Sequence, residues 1–231
     1  MEYTEYYKAF CKRVSIYRKL LGYDQGLMAE KLGMTKPEYS NRESGRSMMS
    51  GDDLKRFHNA GADIDKLLVN VERKDSKHII SDYVAGFERD SQKEYVRGVI
   101  SEYVIYLCEQ RTDGTNDELD KYIRLLKSIE KDSTSDSMLK CIRDANDIKD
   151  QQIISDSLGI SRFKYSQIEN NKEYPDAMVL IRLYDIYGYL PSMYLDVYDT
   201  QLIVLDYIYD SLSESEQAKI LKFMDSIKQF V

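Results

Sequence analysis

The chain of 231 residues contains an internal repeat. Residues Asp24–Arg46 align without a gap on residues Asp150–Lys172, and seven of the 23 aligned pairs are identical. Glycine and polar positions are kept as well as apolar ones, which a chance match between two amphipathic helices does not require. The repeat predicts two copies of one structural unit, roughly 100 residues each, joined in one chain.

The sequence around the repeat favours helices over strands. Apolar residues recur at helical spacing, and no Asn-Gly or Asp-Gly turn joins two alternating runs. Thr35 and Glu38 have the spacing of a helix capping box, and Pro37 suits the first turn of the helix that Thr35 begins. In the second copy, Ser161 is the corresponding N-cap. The chain has only three prolines and 11 glycines, a composition that also favours helices. We therefore predict an all-α fold.

The repeat also predicts the organisation of the chain into segments. Each copy is followed by an apolar-periodic stretch, Ser91–Leu107 or Ser213–Phe230, and two polar runs separate the copies. The predicted segments are a first repeat domain, 1–70; a helical packing or linker region, 71–134; a second repeat domain, 135–200; and C-terminal helices, 201–231.

The repeated segment resembles the Xre-type helix-turn-helix domain of the Cro and phage-repressor family. The family pattern is an Arg in helix 1, a Ser-Gln-x-x-Leu-Ala stretch, a Leu-Gly turn before Ser or Thr, and a recognition helix that ends in Glu-x-Gly and a basic residue. The first copy has Arg18, Asp24–Ala29, Leu32–Thr35 and Glu43–Arg46. The second copy has Arg143, Asp150–Ser155, Leu158–Ser161 and Glu169–Lys172. The resemblance implies two tandem lambda-repressor-like helix-turn-helix domains, each followed by additional helices.

Three positions depart from the family pattern. Arg42 stands where the family usually has an apolar core residue, so an unusual packing of the first recognition helix is expected. Asn171 replaces the glycine after the second recognition helix, and asparagine tolerates the left-handed backbone of such a position. Arg143 is shifted by one residue relative to the repeat.

The resemblance assigns DNA contacts to individual residues. Base-facing candidates on the recognition helices are Thr35, Lys36, Pro37 and Asn41 in the first copy and Ser161, Arg162, Phe163 and Gln167 in the second. Phosphate-contact candidates are Gln25, Gln151, Arg46 and Lys172. Lys or Arg suits guanine, Asn or Gln suits adenine, and Phe or Pro can touch a thymine methyl group. Two alternatives stay open: the basic side chains could be ordinary solvated residues, and the two glutamines at the start of helix 2 could only cap it.

The net charge of −7 is unevenly distributed along the chain. Residues 1–70 carry 12 basic and 10 acidic side chains, whereas residues 135–200 carry 7 and 11. The region 71–134 and the tail 201–231 are also acidic. Because a basic face is expected of a DNA-binding domain, the first copy is predicted to be the better electrostatic partner of DNA. The second copy is predicted to bind DNA more weakly or to serve another use.

Two classes of function fit these observations. The first is a sequence-specific double-stranded DNA-binding transcriptional regulator, a repressor, whose fused helix-turn-helix units read two half-sites as a pseudo-dimer. The alternative is a protein-binding inhibitor, antitoxin or antirepressor on the same fold, whose acidic surface meets a protein partner. The helices after the two repeats each have an apolar face, and a homodimer through these faces is a further expectation. The faces comprise Tyr95, Val99, Tyr103 and Tyr106 in the first helix and Ile220, Phe223 and Ile227 in the second.

An enzyme is not expected. Phosphate-loop, hydrolase and zinc-protease motifs are absent, and His58 and His78 are the only two histidines. The three cysteines, Cys11, Cys108 and Cys141, lie too far apart in sequence for a typical metal site, and we predict that they are reduced thiols. No cofactor and no metal site is therefore predicted. Since no apolar run reaches the ~18 residues of a membrane-spanning helix, we expect no membrane association and a cytoplasmic location.

Overall fold

The computed structural model of the protein describes residues 3–71, 78–111, 117–131, 137–195 and 197–229. Within these ranges it contains fourteen α-helices, one short 3₁₀ helix and no β-strand, which confirms the all-α prediction. None of the described helices is both long enough and apolar enough to cross a membrane. The α-helices are α1 (Tyr3–Leu20), α2 (Gln25–Lys31), α3 (Lys36–Glu43), α4 (Gly51–Asn59), α5 (Ile64–Val69), α6 (Ile79–Ala85), α7 (Asp90–Glu109), α8 (Asp117–Lys131), α9 (Met138–Ala145), α10 (Gln151–Leu158), α11 (Arg162–Glu169), α12 (Ala177–Tyr187), α13 (Val197–Ser211) and α14 (Glu214–Ile227), and the 3₁₀ helix is Pro191–Tyr194.

Side-chain caps explain where the two recognition helices begin. The hydroxyl of Thr35 accepts a hydrogen bond from the N–H of Glu38, and the carboxylate of Glu38 accepts one from the N–H of Thr35. Pro37 lies in the first turn of α3, where its missing N–H breaks no helical hydrogen bond. The hydroxyl of Ser161 caps α11 in the same way by accepting from the N–H of Lys164. These contacts confirm the starts predicted for α3 and α11.

Left-handed residues explain the sharp turns before and after both recognition helices. Gly33 and Gly159, which follow the second helix of each repeat, have φ angles of 63° and 62°. After the recognition helices, Gly45 has a φ of 75° and Asn171 a φ of 53°. The prediction that asparagine can replace glycine at this turn is therefore confirmed.

The helices form two compact units, each assembled from two separate stretches of the chain. The first unit comprises Met1–Arg73 and Asp150–Asp196, and the second comprises Lys74–Lys149 and Val197–Val231. The units therefore do not coincide with the two copies of the repeat. The helix-turn-helix segments of both copies, α2–α3 and α10–α11, lie in the first unit, whereas α9 belongs to the second.

The first unit is packed around α1. This helix contacts α3, α5 and α12, and its side chains Phe10 and Val14 are fully buried. Leu54 and Phe57 of α4 and Leu68 of α5 are also fully buried. Helices from the first and second copies therefore share one core, which fixes α12 against the first repeat.

The second unit is a bundle in which α8 packs against α7, α9 and α13, while α14 packs against α7. The predicted apolar face of α14 is buried at Ile220 and Ile227, and the ring of Phe223 stacks on Tyr103 of α7 with 4.0 Å between centroids. The buried face of α7 differs from the predicted one, because its core residues are Val96, Ile100 and Val104. Of the predicted face, Tyr95 and Tyr106 are exposed. Pairing of two chains through these helices stays a prediction.

A buried carboxylate of α13 supports the start of α6 in the second unit. Asp206 accepts hydrogen bonds from the N–H of Ile80 across 2.8 Å and from the hydroxyl of Ser81. His78, the residue before the helix, makes no side-chain cap. Burial raises the pKa of Asp206, although the donors on α6 act in the opposite direction. A cap supplied from a distant helix thus joins α6 to α13.

Candidate nucleic-acid interface

The first motif consists of α2, α3 and the turn between them. At the turn Gly33 is left-handed, and the N–H of Met34 donates to the carbonyl of Ala29 across 2.8 Å. Met28 and Ala29 of α2 are buried, and α2 packs against α3. The small side chain of Ala29 allows the two helices to approach closely, as a helix-turn-helix requires.

The first turn of α3 is exposed. Thr35, Lys36 and Pro37 are all exposed, and Asn41, one turn further on, is half-buried. The hydroxyl of Thr35 is already used in the cap, since it donates to Glu38 Oε2 across 2.7 Å. This hydrogen bond lowers the pKa of Glu38, so its carboxylate is negatively charged at neutral pH. Lys36 and Asn41 are therefore the donors of this face that the cap does not use.

A buried carboxylate holds the first motif together. Glu43, the last residue of α3, is 7% exposed. Arg18 Nε donates to Glu43 Oε1 across 2.7 Å, and the hydroxyl of Tyr39 donates to the same oxygen across 3.1 Å. Gln25 Nε2 donates to Glu43 Oε2 across 2.5 Å. A single carboxylate thus joins α1, α2 and α3.

The electrostatics of this cluster favour an ionised Glu43. Burial by itself raises the pKa of Glu43, but hydrogen bonds from Arg18 and Gln25 outweigh it and hold the pKa below its usual value. The hydrogen bond to Glu43 also raises the pKa of Arg18. Burial raises the pKa of Tyr39, whose hydroxyl therefore stays protonated and remains a donor. Arg18 and Glu43 thus form a fixed ion pair, and the neutral donors Gln25 and Tyr39 occupy further lone pairs of the carboxylate.

The two glutamines assigned to phosphate contact do not cap the second helix of their motifs, so that alternative is wrong. The caps are Asp24 and Asp150, whose carboxylates accept from backbone N–H groups in the first turn at 2.8 and 2.9 Å. Gln25 and Gln151 are half-buried, and each donates from its amide nitrogen to the buried glutamate of its own motif. A side-chain amide has two N–H groups, so one can still donate to a phosphate oxygen.

The second motif repeats the glutamine and tyrosine contacts of the buried cluster. Gln151 donates to Glu169 Oε2, and the hydroxyl of Tyr165 donates to Glu169 Oε1 across 3.1 Å. Ser155 is fully buried at the position of Ala29. Tyr165 and Ile168 are buried, so they belong to the core and not to the exposed face.

The exposed face of α11 carries different side chains from that of α3. Ser161, Arg162 and Phe163 are exposed in the first turn, and Gln167 is half-buried. Ser161, like Thr35 in the first motif, is committed to the helix cap. The structure therefore brings together on this face a guanidinium, an aromatic ring and an amide.

The first turns of the two recognition helices also differ in charge. Glu38 of α3 has Lys164 as its counterpart on α11. Lys164 Nζ lies 2.5 Å from Asp176 Oδ2, and Asp176 caps α12. The first turn of α11 contains no acidic residue, whereas that of α3 contains Glu38. Locally the second recognition helix is thus the more basic one, although segment 135–200 is the more acidic.

Arg42, the departure from the family pattern, packs by an ion pair instead of by apolar contact. Its Nε lies 2.9 Å from Asp53 Oδ2, and its Nη1 donates to the carbonyl of Met48. The aspartate side chain is almost fully buried. This contact joins the recognition helix to α4, so the expectation of an unusual packing is confirmed.

Both motifs expose hydrogen-bond donors and cations near their recognition helices. Arg46 and Lys172 are exposed at equivalent positions just after the recognition helices. Such groups suit phosphate oxygens and base edges. In the part of the chain that the structure describes, no group of three or more His, Cys, Asp or Glu side chains is placed to hold a metal ion.

The fold and the two motifs define a tandem helix-turn-helix protein. Residues 14–60 match a protein family described as "Helix-turn-helix", and residues 137–200 match a second one described as "Helix-turn-helix domain". Both families are of the Xre and lambda-repressor type, so the chain carries two such DNA-binding domains in tandem. No curated protein and no solved structure shows significant similarity to the chain.

The sequence analysis does not predict that the two glutamates are buried and hold their motifs together. Glu43 and Glu169 appear there only as part of the family pattern. The signal that could have revealed them is the repeat itself, since Gln and Glu recur with the same separation of 18 residues in both copies. Polar residues that are identical at the same spacing in both copies indicate an internal contact that both copies share.

Proposed function

We propose that the protein is a sequence-specific regulator of transcription, a repressor, that binds two half-sites in double-stranded DNA as an intramolecular pseudo-dimer. The observation that carries the proposal is that α2–α3 and α10–α11 belong to one compact unit. Repressors of this fold ordinarily place two motifs on DNA by pairing two chains. Here one chain supplies both motifs and the contacts that join the two copies.

The first contact between the copies is a buried carboxylate. Asp65 of α5 is fully buried and accepts from the N–H of Ser192 across 2.8 Å and from its hydroxyl across 2.7 Å. Ser192 lies in the 3₁₀ helix of the second copy. A buried carboxylate with two short hydrogen bonds defines direction as well as distance, so it supports a fixed relation between the two copies.

Further contacts lie around α4 and the turn before α12. The N–H of Ala177 donates to the carbonyl of Met49 across 3.1 Å, and Lys55 Nζ donates to the carbonyl of Leu195 across 2.9 Å. A Cβ atom at Gly51 would stand 2.2 Å from the Cβ of Tyr174. The start of α4 and the turn before α12 therefore leave no room for a methyl group between them, which supports a permanent link between the copies.

The exposed and half-buried side chains of the two motifs suit the proposed contacts with DNA. Lys36 and Asn41 of α3, and Arg162 and Gln167 of α11, are assigned to base edges. Gln25, Gln151, Arg46 and Lys172 are assigned to phosphates. Because the two helices carry different residues, the two half-sites are expected to differ in sequence. Binding over a promoter would then exclude other proteins from it, which is the simplest form of repression.

Binding to a random pool of duplex DNA, followed by selection, tests this proposal. The affinity is expected to fall steeply with salt, because each phosphate contact releases counterions. Against a selected duplex, Lys36→Ala and Arg162→Ala are each expected to cost ~1–3 kcal/mol. Lys219→Ala, on the exposed surface of α14 outside both matched segments, is the control and should bind as the wild type does. The absence of any duplex binding at low salt by the folded protein would refute the proposal.

One observation favours the alternative of a protein-binding inhibitor, antitoxin or antirepressor. Residues 135–200 carry 11 acidic against 7 basic side chains, a balance that suits a basic protein partner better than phosphates. If Lys36→Ala weakens DNA binding and Arg162→Ala does not, the second copy is assigned to such a partner instead of to a half-site.

A further inference from the structure

Two large apolar side chains of the second motif are exposed to water. Phe163 on α11 is 74% exposed and Ile153 on α10 is 61% exposed. The helices that carry them pack against each other. The corresponding positions of the first motif hold Pro37, which is also exposed, and Leu27, which is 39% exposed. The second motif therefore has the larger exposed apolar surface.

The core of the second motif does not need Phe163. Tyr165, Ile168 and Leu158 are buried and supply its apolar contacts. Phe163 follows the cap residue by two positions and stands next to the exposed guanidinium of Arg162. Covering this aromatic area would be favourable, so its position on a recognition face suits a partner that presents an apolar group.

We infer that Phe163 is a specificity-determining residue that contacts the 5-methyl group of thymine in one half-site. The inference rests on the proposed DNA binding and adds the kind of base that the second motif reads. A phenyl ring has no hydrogen-bonding group, so it cannot read the donors and acceptors of a base edge. The 5-methyl group of thymine is the apolar feature that the major groove presents.

The neighbours of Phe163 fit a half-site that contains both a G·C and an A·T pair. Arg162 can donate both hydrogen bonds to a guanine, and Gln167, one turn further on, can pair with an adenine. An adenine on one strand places a thymine methyl group on the other. The second half-site is thus expected to include an A·T pair whose thymine methyl group lies against the phenyl ring. The first motif holds the smaller Pro37 at the position of Phe163, so a weaker dependence on thymine methyl groups is expected in the first half-site.

Replacement of thymine by deoxyuridine tests the inference, because it removes the methyl group and leaves pairing intact. The probe is a duplex that the wild-type protein selects from a random pool, with each thymine replaced in turn. Burying one methyl group is worth ~0.8 kcal/mol, so the wild type should lose about fourfold in affinity at one or two positions of a single half-site.

The variant Phe163→Ala should bind the unmodified duplex more weakly and show no further loss with deoxyuridine. Phe163→Leu, which keeps an apolar side chain, should retain part of the effect. Leu221→Ala removes an exposed apolar side chain of α14, outside both matched segments, and should behave as the wild type. Because Phe163 is exposed, its truncation is not expected to unfold the protein, and thermal melting checks this.

The outcomes separate this inference from the proposed function. If a duplex is selected but deoxyuridine has no effect on the wild type, or the same effect on Phe163→Ala, the contact with thymine is refuted while DNA binding stands. If Phe163→Ala binds every duplex as the wild type does, the aromatic ring belongs to a protein partner and the inference is overturned. If no duplex is selected at all, DNA binding and this contact both fall.

Discussion

At the scale of single residues, three of the seven identities in the repeat are explained by buried polar contacts. Gln25, Tyr39 and Glu43 recur 126 residues later, and in both copies the glutamate accepts from the glutamine and the tyrosine. A carboxylate taken out of water is costly unless donors surround it, so each partner of Glu43 is constrained by the others. The same constraint does not act on Lys36 or Asn41, which differ between the copies.

The variant Glu43→Gln is expected to destabilise the protein by ~3 kcal/mol at neutral pH. The change removes the charge that balances the buried Arg18, and breaking one side of a buried ion pair leaves the other charge uncompensated. Urea unfolding monitored by circular dichroism measures the loss. Glu30→Ala, an exposed position on α2, is the control and should change stability little.

The effect of Glu43→Gln is expected to depend on pH. Since the pKa of Glu43 is lowered in the folded protein, the ionised group stabilises the fold above its unfolded pKa of ~4.3. That stabilisation is lost as the pH falls through the lower, folded pKa. The difference in the free energy of unfolding between wild type and variant should therefore be largest near neutral pH and shrink below about pH 4. A difference that stays constant down to acid pH would show that Glu43 acts through packing alone.

At the scale of helices, the sequence predicts starts and turns better than it predicts faces. The capping residues Thr35 and Ser161 are visible as a local pattern, and they begin α3 and α11 as expected. In α7, by contrast, two adjacent apolar stripes are both compatible with a helix. The core takes the stripe of Val96, Ile100 and Val104, because aliphatic side chains fill a closed interface, while the neighbouring tyrosines keep their hydroxyl groups near water. Periodicity alone cannot choose between stripes one residue apart.

Two glycine-to-alanine changes in helices are expected to have opposite effects. At Gly51 the added Cβ would meet the Cβ of Tyr174 at 2.2 Å and its backbone at 2.5 Å, so α4 and the turn before α12 must separate. At Gly98, inside α7, nothing lies within 4 Å of the added atom. Gly98→Ala should therefore stabilise the protein by ~0.5–1 kcal/mol through helix propensity, whereas Gly51→Ala should destabilise it by more than that. Thermal and urea unfolding of both variants measure the signs, and stabilisation by Gly51→Ala would contradict the close approach.

At the scale of the whole molecule, the grouping of helices is what the sequence does not predict. A repeat of two similar segments suggests two separate domains, yet the helix-turn-helix segments of both copies share one compact unit. The contacts responsible join residues more than 100 positions apart, such as Asp65 with Ser192. No local pattern marks these residues, because an aspartate in the first turn of a helix ordinarily serves that helix alone.

The shared unit predicts that the protein tolerates one spacing between its half-sites. Each inserted base pair moves one half-site by ~3.4 Å along the DNA and rotates it about the axis, so a fixed pair of motifs loses register. Inserting one or two base pairs into a selected duplex should lower the affinity of the wild type by roughly tenfold or more, the scale of a mismatched base pair. In Asp65→Ala the contact with Ser192 is lost, so this penalty should be smaller, while affinity at the original spacing also falls. Asp52→Ala, an exposed change in the first turn of α4, should keep the wild-type penalty. A wild-type protein that accepts every spacing equally would mean that its two motifs bind DNA independently.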